Sequence, residues 1–363
     1  MSGDPVLLAV DGLEIGGTER QMIALLKGLR HSGRHRVVLS VLDHGGALEA
    51  EAREHVAAVL PIRRRARFDL TPALSLLRQA RRAHVGLILA VGRLSALAGL
   101  PVAHHLGVPI VNGSIRAAPL PLSRRDQLSR WCAVRSDWIV ANSRAALVAH
   151  GLDGHPRAQV IANGIDLTRF ADRAAETSDT ATICMVANFN PRKDHATPLR
   201  ALPLVRRAVP EARLILVGVD AGTLDDHRRL AQQLGVTEAV RFVTDAGRPD
   251  GHIAASQVCV LTSPSESFSN AILEYMALAR PVVATDTCGD SAALIRDAGC
   301  GVLVARGDAD ALAARLIDLL RDPPRARAMG EAGRRRVQDF GVARMAAEYD
   351  ALFDRLLAAG GRG

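Results

Sequence analysis

Residues 258–284 read Val-Cys-Val-Leu-Thr-Ser-Pro-Ser-Glu-Ser-Phe-Ser-Asn-Ala-Ile-Leu-Glu-Tyr-Met-Ala-Leu-Ala-Arg-Pro-Val-Val-Ala. The apolar run Val258–Leu261 predicts a buried β-strand, and the polar loop after it carries Glu266. A helix is predicted from about Ser269, and Pro281–Ala284 predicts the next strand. A strand, a loop, a helix and a second strand in this order are typical of a parallel sheet covered by helices.

The same alternation extends on both sides of this stretch. Four more strands are predicted in the second half, at Ala181–Val186, Arg213–Val217, Val240–Val243 and Gly301–Val304. Five are predicted in the first half, at Val6–Val10, His35–Leu42, Val85–Val91, Val108–Asn112 and Asp137–Ala141. Between the first two of these, Thr18-Glu-Arg-Gln21 has the spacing of a capping box, which predicts a helix from about Thr18.

The polar, Ala-rich stretch Ala171–Thr180 separates the two patterns and predicts a linker. We therefore predict an α/β protein with two Rossmann-like doubly wound domains that face a cleft. The predicted domains cover residues 1–170 and 181–341. A final helix is predicted within 342–363, over Val342–Ala358, and we expect it to cross back to the first domain.

Composition and charge exclude several classes of protein. Aromatic residues make up only 3% of the chain, which argues against a stacking surface for nucleic acid. The five cysteines are scattered and form no Cys-x-x-Cys pair, and we find no signal peptide or membrane-spanning segment, so a cytoplasmic protein is expected. The first 170 residues carry 22 Arg and Lys against 13 Asp and Glu, whereas the remainder has a net charge of −1.

The positive charge of the first half includes two clusters of arginine. Arg63, Arg64 and Arg65 with Arg67 form the first, and Arg78, Arg81 and Arg82 form the second. Such a surface can attract an anionic acceptor or the inner face of an anionic membrane. A solvated face in an Arg-rich composition is the alternative, and the sequence does not choose between them.

Two acidic residues in the opening stretch suggest a ligand site. Glu266 lies at the carboxyl end of a strand, where ligands bind in open α/β sheets. Glu274 follows eight residues later, about 12 Å further along if the intervening chain is helical. Two carboxylates so spaced can hold the two ends of a nucleotide sugar.

The segment Glu266-Ser-Phe-Ser-Asn-Ala-Ile-Leu-Glu274, followed by Arg-Pro-Val-Val-Ala-Thr-Asp286, resembles the signature of the family 4 retaining glycosyltransferases, which have the GT-B fold. The resemblance covers nearly the whole chain, with Gly16–Glu19, Val160–Asp166 and Val186–His195 as further matching segments. It implies an acceptor-side domain over 1–170 and a nucleotide-sugar-binding domain over 181–341. It implies that Glu266 contacts the transferred sugar, Glu274 the ribose, and the backbone of Phe268, Ser269 and Asn270 the sugar and diphosphate. Exposed or helix-capping acids are the alternative explanation of both glutamates.

Lys193 is one of only two lysines in the chain. By the resemblance it stabilises the diphosphate leaving group, for which a compact cation is suited. The family also carries an arginine where this chain has Asn188, and Arg192 is a candidate substitute. Asn188 and Arg192 are therefore included among the donor-binding candidates.

Further candidates lie in the first half. Gly16 and Gly17 precede a predicted helix, so their backbone could approach the donor phosphate or the acceptor. After the strand at 108–112, some relatives place a histidine, which is absent here. Asn112, Ser114 and Arg116 are predicted instead to orient an acceptor, and Arg116 would suit a phosphate or a carboxylate. Relatives also tend to carry a glutamate near Ala292, so donor preference does not transfer.

Asp308-Ala-Asp310 is interpreted as a helix N-cap and not as a metal-binding pair, and no metal or cofactor is predicted. The resemblance implies a retaining, metal-independent hexosyltransferase that uses a UDP- or GDP-sugar. Its expected acceptor is a glycan or a lipid-linked intermediate of cell-surface polysaccharide or glycoconjugate synthesis. A nucleotide-sugar 2-epimerase of the same fold and a non-catalytic polyanion-binding protein are the alternatives. No nucleic-acid partner is expected.

Overall fold

The computed structural model describes residues 5–44, 46–62, 71–118, 121–171, 181–244 and 248–360. The chain divides into two compact units, residues 1–164 with 340–363 and residues 165–339. The boundary between the units, at 164/165, lies six residues before residue 170, where the first domain was predicted to end. Of the predicted linker, only Ala171 lies within the described residues.

The first unit contains a parallel sheet of seven strands. They are β1 (Val6–Gly12), β2 (Val37–His44), β3 (Ala58–Pro61), β4 (Leu87–Val91), β5 (Ile110–Ile115), β6 (Trp138–Ala141) and β7 (Ala158–Val160), in the order β3-β2-β1-β4-β5-β6-β7. The five strands predicted in this half are confirmed to within a few residues. Sequence reasoning missed β3 and β7, the two edge strands.

Helices cover this sheet, and the loops that lead from the strands into them lie at its carboxyl edge. They are α1 (Gly17–Ser32), α2 (Glu49–Arg53), α3 (Thr71–Arg82), α4 (Arg93–Leu106), α5 (Arg124–Ala133), α6 (Arg144–Ala149) and α14 (Val342–Gly360). Every residue of β4 is buried, as expected for a strand covered on both faces.

The helix α14 belongs to the core of the first unit, although it comes from the end of the chain. Met345, Tyr349 and Phe353 are buried in the same cluster as residues of α1 and β1. The two helices approach closely at Gly28, where an added Cβ would lie 2.7 Å from the Cβ of Ala346. Glycine therefore permits a helix contact that a larger residue would push apart.

The predicted capping box at Thr18 is wrong. The helix begins one residue earlier, at Gly17, with Gly16 as an N-cap that has no side chain to offer. Gln21 is instead buried, and its side-chain amide donates to the carbonyl of Gly164 and accepts from its N–H, both at 3.0 Å. Gln21 thus bonds to a residue 143 positions away and does not form the predicted capping-box hydrogen bond with Thr18.

We expect Gln21→Ala to lower the free energy of unfolding by about 1–3 kcal/mol, because it leaves the N–H and carbonyl of Gly164 buried without their partner. Chemical denaturation of the purified variant measures this change. Arg20→Ala, at the neighbouring position, is the control. A similar decrease in its free energy of unfolding would contradict a specific role for Gln21.

The second unit has a parallel sheet of six strands. They are β8 (Thr182–Val186), β9 (Arg213–Val217), β10 (Val240–Val243), β11 (Val258–Leu261), β12 (Val282–Thr285) and β13 (Gly301–Val304), in the order β10-β9-β8-β11-β12-β13. All six predicted strands are confirmed. This is the strand order of a Rossmann domain, in which ligands bind beyond the carboxyl ends of the strands.

Helices on both faces of this second sheet complete the unit. They are α7 (Ala196–Ala208), α8 (Leu224–Gln233), α9 (Asp250–Ala254), α10 (Asn270–Ala277), α11 (Asp290–Ala298), α12 (Ala309–Arg321) and α13 (Pro323–Arg336). Short 3₁₀ helices occur at Leu167–Phe170, Thr237–Ala239 and Val337–Phe340. None of the helices within the described ranges has the length and apolarity needed to cross a membrane.

Candidate active site

Lys193 and Glu266 meet at the carboxyl edge of the second sheet. Lys193 lies on the loop after β8, and Glu266 lies on the loop after β11, the neighbouring strand. The Lys193 ammonium group donates a hydrogen bond to Oε1 of Glu266. Both side chains remain partly accessible, at 25% and 14% exposure. The chain therefore places a cation and a carboxylate together where an open α/β sheet binds its ligand.

The loop that carries Glu266 is fixed by hydrogen bonds to the chain after β12. The Glu266 N–H donates to the carbonyl of Thr287 at 3.3 Å, and the Ser269 N–H donates to the hydroxyl of Ser291 at 2.9 Å. The helix α10 begins only at Asn270, with Ser269 as its N-cap. The 12 Å estimate for the two glutamates therefore does not apply, since half of the interval is not helical.

Glu274 belongs to a second cluster of charges, which sequence reasoning missed. Arg169 lies with its Nη1 atom 3.8 Å from Oε1 of Glu274, and it also forms an ion pair with Asp250. All three side chains are largely buried, at 20% exposure for Arg169, 13% for Glu274 and 7% for Asp250. Only Glu274 was singled out from sequence, because the other two lie far away in the chain.

The other donor-side candidates occupy different environments. Asn188 accepts a hydrogen bond from the N–H of Val219 at 3.2 Å, which ties the Lys193 loop to the end of β9. Arg192 is exposed. A cavity of about 410 Å³ lies beside this loop, and Lys193, Asp194, Arg200 and Arg306 are among the residues that line it.

The first unit has its own cavity at the carboxyl edge of its sheet, with a volume of about 180 Å³. Ser114 and Arg116, both predicted from sequence, line it together with Asp11 and Glu19. Burial raises the pKa of Glu19, although its own backbone N–H and the nearby Arg116 act in the opposite direction. The cavity thus combines two carboxylates and one guanidinium with hydroxyl groups.

Asp11 and Arg116 each have partners within the unit. Asp11 accepts hydrogen bonds from the N–H of Leu94 at 3.1 Å and from the N–H of Ser95 at 2.8 Å, so it caps α4. Arg116 donates to Oδ1 of Asn163 at 2.7 Å. Asp11 was not predicted, although its place at the end of the first strand was a usable signal.

Asn112, Gly16 and Gly17 are the remaining candidates in the first unit. They contact or lie next to residues that line this cavity, and they are not among its lining residues. Asn112 is fully buried, and its Oδ1 accepts from the N–H of Ser114 at 3.0 Å. Gly16 allows close approach of Glu19, since an added Cβ would lie 2.2 Å from a carboxylate oxygen of that residue. Gly17 is the first residue of α1.

Two family models match consecutive parts of the chain. "Glycosyltransferase Family 4" matches residues 15–169, and "Glycosyl transferases group 1" matches residues 168–336. The chain belongs to the family 4 glycosyltransferases. This confirms the resemblance that was drawn from the two glutamates and the flanking motifs.

Curated relatives of this family 4 glycosyltransferase match over part of their length. It is 33% identical over 204 residues to the D-inositol 3-phosphate glycosyltransferase of Kribbella flavida, which covers 51% of this chain and 48% of the relative. It is also 33% identical over 189 residues to the GDP-mannose-dependent alpha-(1-6)-phosphatidylinositol monomannoside mannosyltransferase of Mycolicibacterium smegmatis, covering 47% and 49%. The chain spans about half the length of the curated relatives it matches.

Solved structures show the same fold. The crystal structure of HepE from Anabaena in complex with UDP-glucose superposes with a TM-score of 0.84 at 20% identity, over 97% of this chain and 100% of that one. The predicted fold class, two Rossmann-like parallel-sheet domains of the GT-B type, is confirmed.

The loop before α7 of this family 4 glycosyltransferase is organised around a buried histidine. His195 has Nδ1 3.2 Å from the carbonyl of Lys193 and Nε2 3.1 Å from the carbonyl of Ala187, and it stacks on Phe189 with a centroid distance of 4.6 Å. Burial lowers the pKa of His195 to about 4. The ring is therefore neutral at pH 7 and supports the loop on which Lys193 lies.

We expect His195 to make the protein less stable in mild acid. The unfolded chain takes up a proton on this histidine below about pH 6.5, whereas the folded chain does not until about pH 4. The free energy of unfolding should therefore fall by up to about 3 kcal/mol between pH 6.5 and pH 4. Urea denaturation as a function of pH, compared with His195→Asn, measures the difference, and parallel pH profiles would contradict this account.

Asp308 is confirmed as an N-cap, since it accepts a hydrogen bond from the N–H of Ala311 at 2.8 Å. Within the part of the chain that the structure describes, no group of three or more His, Cys, Asp or Glu is arranged to hold a metal ion. Ala292, where relatives tend to have a glutamate, is buried in the first turn of α11.

Proposed function

We propose that this protein is a retaining, metal-independent hexosyltransferase. It transfers a hexosyl group from a UDP- or GDP-sugar to a glycan or lipid-linked acceptor in cell-surface polysaccharide or glycoconjugate synthesis. The observation that carries the proposal is the pairing of Lys193 with Glu266 at the carboxyl edge of a Rossmann sheet, beside the N-terminus of α10. The names of the relatives, which include GDP-mannose-dependent and inositol phosphate glycosyltransferases, support it.

The chemistry follows from the charges in the second unit. As the glycosidic bond of the donor breaks, negative charge grows on the diphosphate, and the ammonium group of Lys193 can neutralise it without a metal ion. The positive end of the α10 dipole acts in the same direction. Glu266 can accept hydrogen bonds from the hydroxyl groups of the transferred sugar, and Glu274 can accept hydrogen bonds from the ribose. Retention of configuration is proposed by resemblance to the family.

We assign the acceptor to the cavity of the first unit, lined by Ser114 and Arg116. The carboxylates of Asp11 and Glu19 in the same cavity are suited to accept hydrogen bonds from sugar hydroxyl groups. Arg116 already donates to Asn163, so an anionic group on the acceptor would share the guanidinium with that residue.

A panel of UDP-, GDP-, ADP- and dTDP-sugars tests the donor assignment. A ligand that binds only the folded protein raises its melting temperature. We expect one nucleotide-sugar to raise it, and we expect Glu266→Ala and Lys193→Ala each to reduce turnover of that donor, in isotope-labelled form, by about 10²-fold or more. Near wild-type turnover in both folded variants would contradict the proposal. Isomerised sugar nucleotide formed without an acceptor would instead identify an epimerase.

We also propose peripheral contact with anionic membranes through the basic surface of the first unit. Arg78, Arg81 and Arg82 are exposed on and at the end of α3, whereas the cluster at 63–67 lies outside the described residues. Co-sedimentation with phosphatidylglycerol vesicles should decrease when all three arginines are replaced by glutamine. Equal binding of the triple variant and the wild-type protein would contradict a role for this surface.

A further inference from the structure

Arg169 is a partly buried arginine whose guanidinium is held in one orientation. It lies on the 3₁₀ helix Leu167–Phe170, just before the chain enters the second sheet. Its Nε atom donates to Oδ2 of Asp250 at 3.0 Å, and its Nη2 atom donates to Oδ1 of the same carboxylate. Both donors on one edge of the planar guanidinium are thus engaged by a single carboxylate.

The other edge of the guanidinium faces Glu274. Nη1 of Arg169 lies 3.8 Å from Oε1 of Glu274, too long for a hydrogen bond but close enough for a strong electrostatic contact in a partly buried site. Burial alone would lower the pKa of Arg169, but its hydrogen bonds to Asp250 and the charges of Glu274, Asp250 and Asp166 outweigh burial and raise it. The guanidinium therefore stays charged between two carboxylates.

Asp250 fixes the arginine from a rigid element. It is the first residue of α9, and its side chain is 7% exposed. An arginine that donates two hydrogen bonds to one carboxylate cannot easily change its conformation to contact a ligand, because the buried carboxylate would then lose its partner. Asp250 therefore holds the guanidinium of Arg169 in place beside Glu274.

We propose that Arg169 is a positioning residue that orients the Glu274 carboxylate for the ribose hydroxyl groups of the donor, with Asp250 as its anchor. This rests on the proposed function, in which Glu274 binds the ribose. The arginine lies on the Oε1 side of Glu274 and so limits the orientations that this carboxylate can adopt towards the ligand. An aligned carboxylate discriminates against a nucleotide that lacks a hydroxyl group, because the acceptor would then be left unpaired.

The test compares the affinity of each variant for UDP and 2′-deoxy-UDP, and for GDP and 2′-deoxy-GDP, by isothermal titration calorimetry. We expect the wild-type protein to prefer the ribonucleotide by about 10-fold or more, as for a hydrogen bond to a charged group. The preference should fall to about 3-fold or less in Glu274→Gln. Arg169→Lys should show the same loss, because lysine can keep the ion pair with Asp250 but cannot span both carboxylates.

Asp250→Asn is a second variant, which keeps Arg169 but weakens its anchor, and we expect an intermediate preference for the ribonucleotide. If circular dichroism shows that Arg169→Lys does not fold, Asp250→Asn is the variant that tests whether Arg169 orients Glu274. Arg315→Gln, an exposed change on α12, is the matched control and should leave the preference as in the wild-type protein.

The outcomes separate this inference from the function on which it rests. If the wild-type protein has no preference, or if Glu274→Gln retains it, the assignment of Glu274 to the ribose is wrong. If Glu274→Gln loses the preference while Arg169→Lys and Asp250→Asn keep it, Arg169 is only a structural residue and the inference is overturned. If Arg169→Lys weakens binding of the ribo and deoxy forms equally, Arg169 contacts the diphosphate itself and the inference is also wrong.

Discussion

Replacing Lys193 by methionine should lower kcat for sugar transfer by about 10²–10³-fold, the usual effect of removing one group that stabilises charge in the transition state. Lys193 contributes the positive charge next to Glu266 at the edge of the second sheet. Methionine has a similar length and no charge, so the change removes the cation with little effect on packing. Single-turnover kinetics with labelled donor at saturating concentration measure the effect on the chemical step.

Arg192→Met is the matched control for this prediction. It removes a positive charge from the adjacent residue, which is exposed. We expect kcat to change by less than about 3-fold, because water and salt screen the charge of an exposed side chain. If Arg192→Met lowered kcat as much as Lys193→Met, Arg192 would be the substitute for the arginine that the family carries at the position of Asn188.

The central strands of both sheets could be predicted because they are buried on both faces and therefore consist almost entirely of apolar residues. Val258–Leu261, an inner strand of the second sheet, has the bounds expected from sequence, and every one of its residues is buried. Buried parallel strands must be continuous apolar runs, so they are visible without knowledge of their neighbours. The edge strand Ala158–Val160 has only three residues, none of them buried, and it left no such signal.

The candidate site was predictable where function depends on local order in the chain. Glu266 and Glu274 share a loop and a helix, and a family pattern could be recognised there. Arg169 could not be found in this way, since its partner Asp250 lies 81 residues further along the chain. The partner of Gln21 is even more remote, 143 residues away, whereas Thr18 suggested a local cap that does not form.

Gly218 is expected to be as sensitive to substitution as Lys193, although it has no side chain. An added Cβ would lie 2.0 Å from the carbonyl oxygen of Ala187 and 2.9 Å from Cα of Asn188. Both atoms belong to the backbone that leads to Lys193, and this backbone is tied to the end of β9 by the hydrogen bond from the Ala187 N–H to the Val217 carbonyl at 2.9 Å. A methyl group can therefore be accommodated only if the Lys193 loop moves.

Gly218→Ala should consequently lower the free energy of unfolding by about 3 kcal/mol, at the upper end of the range for overpacking. It should also reduce turnover at temperatures where the protein remains folded, because the ammonium group would be displaced from Glu266. Gly235→Ala is the control. Gly235 has a left-handed backbone with a φ of 66°, and nothing lies within 4 Å of an added Cβ. Strain alone should cost about 1 kcal/mol there and leave kcat unchanged. Equal destabilisation of the two variants, with equal kcat, would show that the Lys193 loop adapts to the extra methyl group without moving its ammonium group.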